Sequence, residues 1–266
     1  MTSYIEIEKE NNPKTTIIKY AEELYEKTGR NVIIYYSGWL NEDNEEVSID
    51  SMDKNAFMNL IDGLDESKGA DIILHTPGGF VSATESLIDY LHSIFGENMR
   101  AIIPQMAMSG GTMIACSCKE ILMGKHSSLG PADPQILGMP ARTVIEEFEL
   151  AKKEMEENPK SVPFWTTLLE KYPTNFIFEC RNSMDWAKDI LEKSLKYAMF
   201  NENNQEIIDK IVYELLYGDA TKSHARNLSA KKCREIGLKI RYLEEDKELH
   251  NIILSIHYAC LNYFNR

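Results

Sequence analysis

The chain has 266 residues, enough for one large domain whose core needs neither disulfide nor metal to hold it. Its 29 Lys and Arg against 42 Asp and Glu give a net charge of −13, which repels phosphate backbones and anionic lipid and argues against nucleic acid or a membrane surface as partner. The five cysteines (Cys116, Cys118, Cys180, Cys233, Cys260) are odd in number, and the close pair lacks a second Cys or His cluster. We therefore expect reduced thiols in a cytoplasmic chain, with no metal site and no cofactor.

The opening residues, MTSYIEIEKENNPK, carry neither a basic n-region nor an apolar h-region and predict no signal peptide. Asn31 to Tyr36 (NVIIYY) reads as a buried strand, ended by Ser37-Gly38. A helix is expected after Asp53, through Ala56, Leu60 and Ile61. Asp71 to His75 (DIILH) is another short apolar strand, stopped by Thr76-Pro77-Gly78-Gly79. Phe80, Ala83, Leu87, Ile88, Leu91, Ile94 and Phe95 then recur at helical spacing, and Gly96 closes that helix.

Arg100 to Ile103 is a third strand, and the small-residue turn at Ser109 opens a helix through Met113 and Ala115. Ala101 to Cys118 holds 18 residues without a charge. Pro104, Gln105, Ser109, Gly110, Gly111 and Ser117 make it a buried strand, turn and helix start, not a membrane span. Strands alternating with helices over short connections predict parallel βαβ units. From Ala141 the pattern turns helical (Ala141–Glu157, Phe164–Tyr172, Phe176–Phe200, Gln205–Leu216). A helix at Ala230–Ile236, a strand at Lys239–Leu243 and a helix from Glu248 follow. The expected architecture is one α/β domain over 1–266, with a mainly helical insertion at about 141–217.

Two turns have the residues for chemistry. Consecutive glycines at Pro77-Gly78-Gly79 let the backbone take positive φ and turn its N–H groups toward a ligand; a plain strand-to-helix turn has the same composition. Ala107-Met108-Ser109-Gly110-Gly111 puts a serine hydroxyl where a helix begins, a place suited to a developing anion and equally to an ordinary N-cap. The segment is not a G-x-S-x-G elbow, since Ala107 replaces the first glycine. Both turns fall at carboxyl ends of strands, where open α/β sheets bind ligands. On adjacent strands, the Gly79 and Gly110 amides would converge beside the Ser109 hydroxyl, as acyl transfer requires.

The strand–PGG–helix–strand–serine turn–helix layout resembles the Clp protease/crotonase superfamily. Ser127-Ser128-Leu129-Gly130-Pro131-Ala132-Asp133-Pro134-Gln135 looks like the SxLGPxDPQ segment of its serine dehydrogenase proteinase branch. Ser223 to Ser229 and Cys233 to Leu238 are similar to that branch's His-containing loop and the element after it. The resemblance covers Asp71–Gln135 and Gly218–Leu243 well, the helices between them loosely and the first 70 residues weakly.

It implies a Clp/crotonase-like ββα spiral with a helical insertion and a C-terminal helix. It also implies a serine peptidase with Ser109 as nucleophile and an oxyanion hole from the Gly79 and Gly110 amides. The base departs from the Clp pattern: no histidine stands near Ala132 or Asp133, whereas His224 stands near the usual acid position. One reading exchanges the partners, with His224 as general base and Asp133 orienting it. The rival is a Ser–Lys dyad through Lys152 or Lys153, although their Glu-rich helix suits ion pairing on a solvated face.

Structural readings stand beside these. His224 would equally serve the loop backbone, and Asp133 would form a turn. His126 reads as a surface loop residue, His250 and His257 as packing or solvent-facing, and Trp165, Trp186 and the Met-rich 106–123 stretch as core. The expected substrate is a peptide or unfolded protein. A homo-oligomer enclosing its sites is implied by the resemblance, with an unfoldase as candidate partner. Two alternatives remain: an inactive scaffold or regulatory subunit of the same fold, and crotonase-type acyl-coenzyme A chemistry, which needs no nucleophilic serine.

Overall fold

The computed structural model describes residues 12–40, 47–200, 204–218 and 226–265. Its centre is a five-stranded, all-parallel sheet in the order β1-β2-β3-β5-β10. The strands are β1 (Asn31–Tyr36), β2 (Ala70–His75), β3 (Met99–Ile103), β5 (Glu120–Met123) and β10 (Ile240–Tyr242). A parallel sheet must be covered on both faces, and the inner strands show why by period-two alternation. Ile72, Leu74, Ala101, Ile103, Ile121 and Met123 enter one core, and Ile73, Ile102 and Leu122 enter the other.

The second core is closed by α1 (Pro13–Thr28) and α10 (Lys247–Phe264), through Leu24, Leu249, Ile252, Ile253, Ile256 and Cys260. The reading above placed no helix over 13–28, yet its signals are local. Asn12 caps it through an Oδ1 that accepts the Lys14 amide, Pro13 opens it, and Gly29 at φ 65° closes it.

The first core lies under α2 (Ser51–Ile61), α3 (Val81–Phe95), α4 (Gly110–Cys116) and the helices after residue 140. Those are α5 (Ala141–Glu157), α7 (Phe176–Ser194), α8 (Gln205–Leu216) and α9 (Ala230–Ile236), while α6 (Val162–Leu169) contributes no residue to that core. Helix α2 begins ahead of Asp53, because Asp50 and Asp53 form a reciprocal capping box. The helix expected over 176–200 runs to Ser194 and ends in a π-helical turn, Leu195–Met199.

The uncharged stretch Ala101–Cys118 is core, divided among β3, a turn and α4. No helix among the described residues is long and apolar enough to cross a membrane. All five cysteines are free and buried.

A second small sheet joins β4 (Met106–Ala107), β6 (Ser128–Leu129) and β9 (Leu228–Ser229). β6 runs parallel to β4 and antiparallel to β9. A hairpin of β7 (Gln135–Ile136) and β8 (Met139–Pro140) follows it. These short pairings hold the segments that form the site.

Candidate active site

The two turns singled out in the sequence are stitched together at the carboxyl end of the sheet. The Met108 amide donates to the Thr76 carbonyl at 2.9 Å and the Thr76 amide to the Met106 carbonyl at 3.3 Å. On the other side Ile49 pairs with Gly79. The Ile49 amide donates to the Gly78 carbonyl at 2.7 Å, and the Phe80 amide to the Ile49 carbonyl at 2.9 Å. These bonds consume the flanking backbone groups. Among the hydrogen bonds of the described residues, none engages the amides of Gly79 and Gly110.

Those two amides are neighbours. A Cβ built on Gly110 would stand 3.5 Å from the Gly79 nitrogen, and one built on Gly78 would stand 2.8 Å from the Gly110 nitrogen. Gly78 has φ 97° and Gly79 presses on the Ile49 backbone, so both need the missing side chain.

Ser109 is half-buried and sits at φ 48°, ψ −112°, a conformation L-residues rarely adopt. Backbone strain of this kind costs about 1–3 kcal/mol and persists only where the surroundings enforce it. Here the enforcing contacts are the Gly111 amide on the Met108 carbonyl at 2.7 Å, and Thr112 Oγ1 against the Ala107 and Gly130 carbonyls at 3.0 and 2.9 Å. The Ser109 side chain makes no capping bond to its own helix. A serine so placed presents its hydroxyl instead of capping.

Ser109, Gly78, Gly79 and Gly110 line a cleft of about 730 Å³, with Thr84, Met113 and the β7–β8 hairpin on its walls. Exposed apolar side chains rim it: Phe80 is 64% and Leu137 is 72% accessible. Trp186 belongs to this rim and not to the core, a correction to the sequence reading. Its indole N–H donates to Glu85 Oε2 at 2.9 Å, which holds the ring at the surface beside the cleft. Trp165 is buried as expected. Thr84, which the sequence reading passed over, places a buried hydroxyl at the cleft wall, 2.5 Å from the position of a Gly110 Cβ.

Asp133 is buried between Ala132 and Pro134, which both line the cleft. His224 lies outside the described residues. The chain on either side of residues 219–225 returns to the Asp133 segment. The Ala132 amide donates to the Leu215 carbonyl at 3.0 Å, and Leu228 pairs with Leu129. Lys152 and Lys153 are exposed on α5, and neither lines the cleft. Their place on a solvated helix face outside the cleft does not bring either ammonium group to Ser109.

The sequence profile of ClpP-like SDH-type serine proteinases matches residues 47–163. Two uncharacterised proteins of Methanocaldococcus jannaschii are similar to the chain. One is 29% identical over 175 residues, 66% of this chain and 53% of the relative. The other is 37% identical over 97 residues, 36% of this chain and 34% of the relative. The chain thus spans about half the length of the first relative and a third of the second. The matched profile contains both glycine turns, Ser109, Asp133 and the strands beneath them, and it bears out the Clp-like resemblance and its serine dehydrogenase proteinase branch. Over residues 47–163 this chain is thus similar to the ClpP-like SDH-type serine proteinases.

Proposed function

We propose that the chain is a serine peptidase that cleaves peptide or unfolded-protein substrates through an acyl-enzyme on Ser109. The observation that carries this reading is a strained serine beside two unengaged amides at the floor of a cleft. Ser109 Oγ attacks the scissile carbonyl carbon and passes its proton to His224. The carbonyl oxygen becomes an oxyanion that accepts bonds from the Gly79 and Gly110 amides, each worth about 3 kcal/mol of barrier. The C–N bond then breaks, the leaving amine takes the proton from His224, and water hydrolyses the ester by the reverse proton path.

In this scheme Asp133 orients His224. Anchoring of both flanks of 219–225 on the Asp133 segment supports the assignment. A buried carboxylate is also what a base histidine needs at its other nitrogen.

The same reading extends to the whole chain. β10 completes the central sheet after the helices of 141–217, which supports one domain with a helical insertion. Exposed Phe164 and Phe178 on those helices, 64% and 61% accessible, support a homo-oligomer. Five buried, unpaired thiols favour the cytoplasm. An unfoldase would be the partner that feeds folded substrates to an enclosed site.

Labelling with a fluorophosphonate probe tests the assignment. Wild type should label covalently, and both Ser109→Ala and His224→Ala should lose the label. Loss in Ser109→Ala alone would remove His224 from the scheme. An unlabelled wild type at its native oligomeric state would favour a scaffold, and thioester turnover surviving in Ser109→Ala would favour crotonase-type chemistry.

A further inference from the structure

A second cluster stands at the same end of the sheet but at its far edge, three strands from the peptidase cleft's β2. β5 and β10 pair in parallel with Met123 opposite Tyr242, so the loops that leave them run side by side. His126 is on the first loop, Glu244 is on the 3₁₀ turn Leu243–Glu245 after β10, and His250 is on the first turns of α10. One nitrogen of each imidazole and one carboxylate oxygen lie within 4.8 Å of one another.

The local structure is built to face these groups inward. The Lys125 amide donates to Glu244 Oε1 at 2.8 Å and fixes the carboxylate. Glu244 Oε2 and His250 Nε2 are shut off from solvent and have no hydrogen-bond partner. No lysine or arginine among the described residues forms an ion pair with Glu244. The His126 ring folds back over Gly124, where a Cβ would meet it at 2.6 Å, and stacks on His250 with centroids 5.7 Å apart.

A buried carboxylate oxygen and a buried imidazole nitrogen without hydrogen-bond partners in one cluster are costly unless something satisfies them.

We propose that His126, Glu244 and His250 bind one divalent transition-metal ion of the zinc class. Two imidazoles and a carboxylate suit zinc in tetrahedral geometry with a water as fourth ligand. Ligand atoms about 2.0–2.2 Å from such an ion are roughly 3.4 Å apart, so from within 4.8 Å the triad closes by at most about 1.4 Å. The exposed His126 supplies that movement. The ion ties the loop after β5 to α10, which with α1 covers one face of the sheet, and its role is to stabilise that cover. The sequence reading expected no metal because the cysteines lack a second cluster and the pair His250 and His257 shows no acidic ligand pattern beside it.

The test is zinc and cobalt titration of the full chain after chelation, followed by calorimetry, Co(II) absorption and thermal melting. Wild type should take up one Zn(II) per chain, show the absorption of nitrogen- and oxygen-ligated tetrahedral Co(II), and melt higher with zinc than after chelation. His126→Ala, at an exposed position where folding is not at stake, should weaken binding by at least about 10- to 100-fold. Glu244→Gln should do the same. A wild type that binds no stoichiometric zinc would overturn the proposal, as would equal binding in both variants or a thiolate-to-cobalt charge-transfer band.

Discussion

A Cβ placed on Gly78 would stand 2.7 Å from the Cβ of Ser109. The position of Ser109 thus depends on an absent side chain one turn away. Gly78 also has φ 97°, so alanine there is strained whatever the space. Gly78→Ala should lower stability by about 1–2 kcal/mol and slow fluorophosphonate labelling by at least about tenfold. Labelling rate beside a thermal melt checks both, and unchanged labelling would separate the glycine from the nucleophile.

Strain at Ser109 gives a second expectation. Glycine relaxes at φ 48°, ψ −112°, whereas alanine keeps the penalty. Ser109→Gly should therefore melt above Ser109→Ala, by about 1 kcal/mol or more in stability, with both variants unlabelled. Equal melting points would mean that the turn is not strained in solution.

Gly110 and Thr84 form a coupled pair. Alanine at 110 would clash with Thr84 Oγ1 at 2.5 Å and touch the Gly79 nitrogen at 3.5 Å. Gly110→Ala should lose about 1–3 kcal/mol of stability, and adding Thr84→Ala should restore most of it. On the proposed reading, labelling should stay depressed in the double variant, because the new methyl still touches the Gly79 amide. A double-mutant cycle in both readouts distinguishes the two effects.

Folding stability should fall in mild acid. Burial, with the neighbouring His75 and His126, pushes the His257 pKa from 6.5 down to about 4. Its Nδ1 lies 2.9 Å from the Tyr36 hydroxyl. Because the folded value lies below the unfolded one, this contribution is complete above pH 6.5 and is lost as pH falls toward about 4. It amounts to at most about 3 kcal/mol. Melting curves across that window should slope downward in wild type and less steeply in His257→Gln.

The strands NVIIYY and DIILH were legible because a strand buried on both faces is a continuous apolar run between turn residues. The pair of glycine turns was legible for a related reason, since each lies at the end of such a run. Glu120–Met123 was not, because it is only four residues long and opens on a charge. β4, β6 and β9 have two residues each, and their pairing is specified by partners far away in the chain. Trp186 falls on a helix whose period gives a face but does not say that the face borders a cleft. His126, Glu244 and His250 meet only because β5 and β10 pair across more than a hundred residues. Helix α1 carried readable signals in Asn12, Pro13 and Gly29 that were not used.

The indole of Trp186 has a practical consequence. It is about 39% accessible and borders the cleft, whereas Trp165 is buried with its N–H on Glu154 and the Trp39 N–H is enclosed. Of the three tryptophans, Trp186 alone lines the cleft. A peptide entering it would displace water from that ring and shift its emission, while the other two hold a constant background. The protein therefore carries its own optical gauge of site occupancy. On the proposed reading, Ser109→Ala would let that gauge follow peptide binding without turnover.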